Sequence, residues 1–135
     1  MEKRRTALQL GAAALGLALA GGAGACVPPL KGTQLESPRF VLTFRVGEVF
    51  VGKHFSIEIS SCSKNGDPAP EDLKVDAQMP EHRHGMNYRP TIAVTGKGRY
   101  RAEGLLFHMP GRWQLVFDVE RDGRTERLAT DLLLE

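Results

Sequence analysis

Apolar and polar residues alternate with a period of two through most of the chain after residue 39. The apolar members of the two clearest runs are Leu73, Val75, Ala77 and Met79, and later Trp113, Leu115, Phe117 and Val119. Successive side chains of a β-strand point to opposite faces, so each run predicts a strand with one buried face. No stretch after residue 25 shows a convincing helical period. The pattern therefore indicates an all-β fold.

Turn-forming residues divide this pattern into about seven short strands. Residues 63–71 contain Asn, Gly, Asp and two Pro, and residues 96–98 place two Gly inside a predicted hairpin. Asp122 and Gly123 form a favoured two-residue hairpin turn. Short strands separated in this way are typical of antiparallel sandwiches. We predict an antiparallel immunoglobulin-like β-sandwich.

The first residues of the chain have the parts of an export signal. Lys3, Arg4 and Arg5 precede an apolar stretch over residues 7–20, and small residues follow it. We predict that residues 1–25 are a cleaved signal peptide, with cleavage after Ala20 as the alternative, and that the protein is periplasmic or otherwise exported. The paired arginines leave the twin-arginine route open beside the general one, although neither Phe nor Leu lies two places after them.

The rest of the chain has the size of one domain. Residues 26–38 are rich in Pro, Gly and polar residues and are predicted to be a flexible tether, and residues 39–135 are predicted to form the sandwich. The predicted signal holds three of the 18 basic and one of the 16 acidic residues, which leaves 15 of each. This balance argues against nucleic acid or anionic lipid as the main partner. No later segment is long and apolar enough to span a membrane.

The chain has two cysteines, and the sequence leaves their roles open. Cleavage after Ala25 makes Cys26 the first residue and a candidate for a lipid anchor, although Ala23 occupies the position where a bacterial lipobox usually has Leu, Val or Ile. A disulfide between Cys26 and Cys62 is the alternative, since such bonds persist in oxidising compartments. Cys62 as a thiolate metal ligand is a third and less favoured interpretation.

Residues 79–86 combine two imidazoles and two thioethers within eight positions: Met79, Pro80, Glu81, His82, Arg83, His84, Gly85 and Met86. In an extended segment His82, His84 and Met86 share one face. Thioethers are soft ligands that bind Cu(I) and add little for Zn(II), whereas imidazole accepts Cu(I), Cu(II) and Zn(II). The mixture predicts a copper site and favours Cu(I).

A second His and Met pair precedes the turn-forming residues Pro110 and Gly111. Strand ends of a sandwich cluster at its rims, so this corner is expected to meet residues 79–86 in space. The predicted metal ligands are His82, His84, Met86, Met79, Met109 and His108. A zinc site built from the three histidines and a carboxylate such as Glu81 is the alternative. Met79 and Met109 also fit a plain packing role.

The residues of these two motifs resemble the YtkA-like domain family. The resemblance rests on the Met-Pro-x-His-x-His-Gly stretch from Met79 and on the Met-Pro-Gly-x-Trp corner from Met109. It implies an exported immunoglobulin-like sandwich, distantly similar to FixH and CopC-type copper-binding proteins. The family's Met and His positions fall on Met79, His82, His84 and Met109. CopC-type proteins begin the mature chain with a ligand His, and no such residue follows the predicted signal here.

These observations support two functional hypotheses. The first is an exported copper chaperone or buffer, whose partners are a copper ion and an envelope protein that donates or accepts it. The second is a metal-free accessory domain that uses Arg83, Met86, Asn87 and Tyr88 for protein contact. Glycine-rich phosphate loops and nucleophile elbows are absent from the sequence, and we predict that the protein is not an enzyme.

Overall fold

The computed structural model describes residue 26, residues 28–66 and residues 69–135; the predicted signal peptide, residues 1–25, lies outside them. The described residues form nine strands and no helix. The strands are β1 Thr33–Glu36, β2 Phe40–Val46, β3 His54–Ser63, β4 Asp72–Met79, β5 His84–Gly85, β6 Thr91–Gly96, β7 Arg99–Leu106, β8 Gly111–Arg121 and β9 Arg124–Leu134. Accordingly, none of the described segments is a helix long and apolar enough to cross a membrane.

Two antiparallel sheets pack face to face. One has the strand order β1-β2-β3-β7-β6, and the other has the order β5-β4-β8-β9. The alternating residues of β4 and β8 are buried as the sequence predicts, and the rings of Phe44 and Phe117 meet across the two sheets with centroids 5.1 Å apart. The predicted antiparallel β-sandwich is confirmed.

The strand count differs from the predicted seven because two short strands lie in segments without an alternating pattern. Strand β1 lies within residues 26–38, the segment that is predicted from its composition to be a flexible tether, and it occupies residues 33–36 of that segment. Thr33 pairs with Phe44, and the backbone at Gly32 runs so close to the Phe44 carbonyl that a side chain would have no room. Pairing with β2, and not the composition of the segment itself, stabilises this strand.

A disulfide joins Cys26 to Cys62, with the two Cα atoms 5.8 Å apart. Cys62 lies opposite Val41, whose neighbours along β2 face the core, so both residues belong to the outer face of the sheet. Although it lies on the outer face, Val41 is only 6% exposed to solvent. Leu30 shares a surface pocket with Arg45 and Glu58 of the same face. The segment after Cys26 therefore runs along this outer face, and Cys26 has no free thiol for a lipid.

The β8–β9 hairpin turns at Asp122 and Gly123, as predicted. Both residues have positive φ, 53° and 69°, which is the conformation that a two-residue type I′ turn requires. Glycine adopts this conformation without steric cost, and Asp tolerates it better than most residues. The turn fixes the register of the hairpin from Arg121 opposite Arg124 to Gly111 opposite Leu134.

Glu126 on β9 anchors the loop before β2. Its carboxylate accepts a hydrogen bond of 2.9 Å from the backbone N–H of Arg39 and another from the guanidinium of the same residue. Burial raises the pKa of Glu126, but the hydrogen bonds from Arg39 and Ser37 outweigh it and hold the pKa below its usual value. A carboxyl group whose pKa is lowered by folding contributes stability above its unfolded pKa and loses it as the pH falls.

We therefore expect Glu126→Gln to lower the free energy of unfolding at pH 7, and to have a smaller effect as the pH falls below about 4.3. Urea unfolding of the wild type and the variant between pH 3 and pH 7 measures this difference. Glu48→Gln, which neutralises an exposed carboxylate in the β2–β3 loop, is the control. A difference for Glu126→Gln that stays constant with pH contradicts the prediction.

Candidate metal centre

The segment from Met79 to Met86 is a tight hairpin between β4 and β5. Met79 ends β4, residues 80–83 form a turn, and the His82 N–H donates a hydrogen bond of 3.1 Å to the Met79 carbonyl. Pro80 has no N–H for the sheet, and Arg83 has a φ of 55°. Residues 80–83 are therefore not extended, and the shared face that an extended segment would give does not apply to them.

The returning strand places His84 and Met86 on the side of the core. His84 pairs directly with Met79, and the Met86 N–H donates to the Ala77 carbonyl at 3.2 Å. Directly opposite residues of an antiparallel pair share one face, and both Met79 and Ala77 face inward. His84 is half-buried, and Met86 packs against the core. The hairpin thus brings three of the predicted ligands to the same face of the sheet.

The connection between β7 and β8 adds a third imidazole. The ring centroid of His108 lies 5.1 Å from that of His84, and the His82 ring stacks beside His84 at 5.8 Å with an angle of 24° between the ring planes. The expectation that the two motifs meet is confirmed. His82 and His108 are exposed, whereas His84 lies between them and closer to the core.

Trp113 forms the floor beneath these imidazoles. It is fully buried, as its place in the alternating run predicts, and it stacks on Phe107 with ring centroids 4.4 Å apart. Its ring also meets His84 at 6.0 Å and His108 at 5.4 Å, in both cases close to perpendicular. Contact with the imidazoles was not predicted from the sequence. The alternation of β8 indicates only that Trp113 faces inward.

The same indole fixes the corner that carries Met109. Its Nε1–H donates a hydrogen bond of 3.0 Å to the Met109 carbonyl. Gly111 follows with a φ of 128°, and a Cβ atom there would lie 2.8 Å from Cε of Met79. The end of the buried Met79 side chain therefore reaches this corner, and Met109 itself packs against the edge of the core. We call the six predicted ligands His82, His84, His108, Met79, Met86 and Met109 the His–Met rim.

The His84 ring contacts a backbone carbonyl. Its Nδ1 lies 3.3 Å from the Gly85 carbonyl oxygen, which can only accept a hydrogen bond. A hydrogen bond across this distance needs the proton on Nδ1 of the neutral ring, which is the tautomer that leaves the Nε2 lone pair available.

The carboxylate beside the histidines is already engaged. Glu81 accepts a hydrogen bond of 3.0 Å from Nε of Arg112, and Asp131 accepts one of 3.0 Å from the same guanidinium. The hydrogen bond to Asp131 has the largest effect on Arg112, followed by the one to Glu81, and both raise the pKa of its guanidinium. In the part of the chain that the structure describes, no group of three or more His, Cys, Asp or Glu side chains is arranged to hold a metal ion.

His54 does not join the rim. It is exposed, and its ring meets Tyr88 with centroids 5.2 Å apart.

Both motifs lie inside the region that a family model recognises. The model of the YtkA-like family matches residues 39–117, from the residue before β2 to Phe117 of β8. Comparisons with curated proteins and with solved structures find no significant match. The matched region is more than half of the chain and contains every residue of the His–Met rim. The chain belongs to the YtkA-like family.

Proposed function

We propose that the protein is an exported copper-binding module of the chaperone or buffer type, which holds Cu(I) at the His–Met rim. The contact between His84 and His108, directly beside Met79, carries this proposal. Two imidazoles, one from β5 and one from the β7–β8 connection, converge there, and the Met79 side chain ends at the same corner.

The ligand chemistry supports Cu(I) over Zn(II). Thioethers stabilise the soft monovalent ion and contribute little to zinc, which prefers four N, S⁻ or O ligands in a tetrahedron. Glu81, the nearest carboxylate in sequence, is bonded to Arg112. Neutral ligands also suit a site that carries no compensating negative charge, because a monovalent ion costs less to desolvate than a divalent one.

The exposure of the rim supports transfer or storage of the ion. His82 and His108 face solvent, so an ion can be exchanged with an envelope protein without unfolding of the sandwich. Met79, by contrast, is only 1% exposed and would hold the ion from the side of the core. The Cys26–Cys62 disulfide supports the exported location, since such bonds persist in oxidising compartments.

Anaerobic titration with Cu(I) against a chromogenic chelator tests the proposal. We expect one Cu(I) per chain, and a loss of affinity on the order of 100-fold or more in His84→Ala with His108→Ala, because removal of outer partners alone costs about 10- to 100-fold at metal sites. His54→Ala, which removes an exposed imidazole outside the rim, should leave the affinity unchanged.

Retention of Cu(I) binding in the double variant contradicts the proposal. In that case the same rim, with Arg83 and the half-exposed Tyr88 beside it, is better explained as the contact surface of a metal-free accessory domain.

A further inference from the structure

The rings of His84, His108 and Trp113 form a triangle. The distances between their centroids are 5.1, 5.4 and 6.0 Å. Metal–nitrogen bonds are about 2.0 to 2.1 Å long, so an ion shared by the two imidazoles would lie between those two rings. The third member of the triangle would then be its nearest aromatic neighbour.

We propose that Trp113 contacts the bound ion through its indole π system and makes the site selective for Cu(I) over Zn(II). This inference rests on the proposed copper function and adds a residue that offers neither a lone pair nor a negative charge.

The packing of the indole leaves room for this contact on one side only. Phe107 covers one face of the ring, with the two planes only 7° apart, and Nε1–H is bonded to the Met109 carbonyl. The planes of the two imidazoles are inclined to the indole plane by 69° and 83°. Trp113 is fully buried, so an ion between the histidines meets the indole without intervening bulk water.

The physical basis for selectivity is the cost of removing water from the ion. A tryptophan face attracts cations most strongly where solvent is excluded. A divalent zinc ion loses much more hydration energy than Cu(I) when a π face replaces a water ligand. The indole should therefore strengthen Cu(I) binding and leave Zn(II) binding unimproved.

The chain contains a single tryptophan, so its ultraviolet spectrum reports on Trp113 alone. Anaerobic titration of the wild-type protein with Cu(I), and separately with the redox-inert ion Ag(I), should give a red-shifted indole difference absorption that saturates at one equivalent. Zn(II) should give no such band. The His84→Ala with His108→Ala variant keeps the indole and should show no band with any of the three ions.

Trp113→Phe provides the thermodynamic test on the fraction that folds. We expect Cu(I) affinity to fall about 5- to 30-fold, the range of a solvent-excluded cation–π contact, with Zn(II) affinity unchanged. One-to-one Cu(I) binding without any change in indole absorption would overturn this inference and leave the proposed function intact. Failure of the wild type to bind Cu(I) in the chelator competition would overturn the proposed function itself.

Discussion

Trp113→Ala should lower the free energy of unfolding by about 3–5 kcal/mol, the usual cost of replacing a buried tryptophan with alanine. The indole is fully buried, stacks on Phe107 and holds the Met109 carbonyl, so its removal opens a cavity and leaves that carbonyl without its donor. Domains of this size have about 5–15 kcal/mol of stability in total, so the loss is a large share. Equilibrium unfolding in urea, followed by circular dichroism, measures it.

Phe50→Ala is the matched control, because it removes an aromatic ring that is 53% exposed in the β2–β3 loop. It should change the free energy of unfolding by less than about 1 kcal/mol. A cost for Trp113→Ala as small as that of the control would show that the indole does not support the core, and would weaken its assignment as the floor of the His–Met rim.

Removal of the Cys26–Cys62 disulfide by Cys26→Ser with Cys62→Ser should cost about 3–4 kcal/mol of stability. The bond joins residues 36 positions apart, and closing a loop of that length restricts the unfolded chain by about this amount. Chemical denaturation of the variant and of the oxidised wild type gives the difference. The wild type in excess reductant should match the variant.

Cu(I) affinity is the control for this second prediction. The disulfide lies on the outer face of the five-stranded sheet, whereas His84 and Trp113 belong to the four-stranded sheet. The serine variant should therefore bind Cu(I) as the wild type does under conditions where it is folded. A stability cost below about 1 kcal/mol would show that the pairing of β1 with β2 holds the segment without help from the disulfide.

The sequence predicts the sandwich well because the fold depends on a simple rule. In β4 every second residue is apolar and buried, and in β8 only Val116 breaks the same alternation. The turn at Asp122 and Gly123 is equally local, since its positive φ angles require particular residues at two adjacent positions. Features that depend on the local pattern alone could therefore be predicted.

Features that depend on a residue distant in the sequence could not be predicted. Strand β1 exists because Thr33 and its neighbours pair with β2, and its own four residues carry no alternating pattern. The ion pair between Glu81 and Arg112 joins residues 31 positions apart. Nothing near either residue indicates the other as its partner.

The candidate site falls between these two cases. The ligand types and their approximate meeting place follow from the two motifs and from the clustering of strand ends at a rim. The tight turn over residues 80–83 and the contact of both imidazoles with Trp113 require the register of β4 with β5 and the course of the β7–β8 connection. Whether an ion binds there stays a prediction.

Strand β9, the last strand of the chain, is part of the folding unit. Strand β9 lies beyond the 39–117 match, yet it pairs along the whole of β8, buries Leu128 and Leu134, and supplies Asp131 to Arg112. A protein truncated to residues 39–117 would lack β9. The remaining part of β8 would then be an unpaired edge strand, whose backbone groups could pair with another chain. The matched region is thus shorter than the sandwich, because it leaves out a whole strand that helps to bury the core.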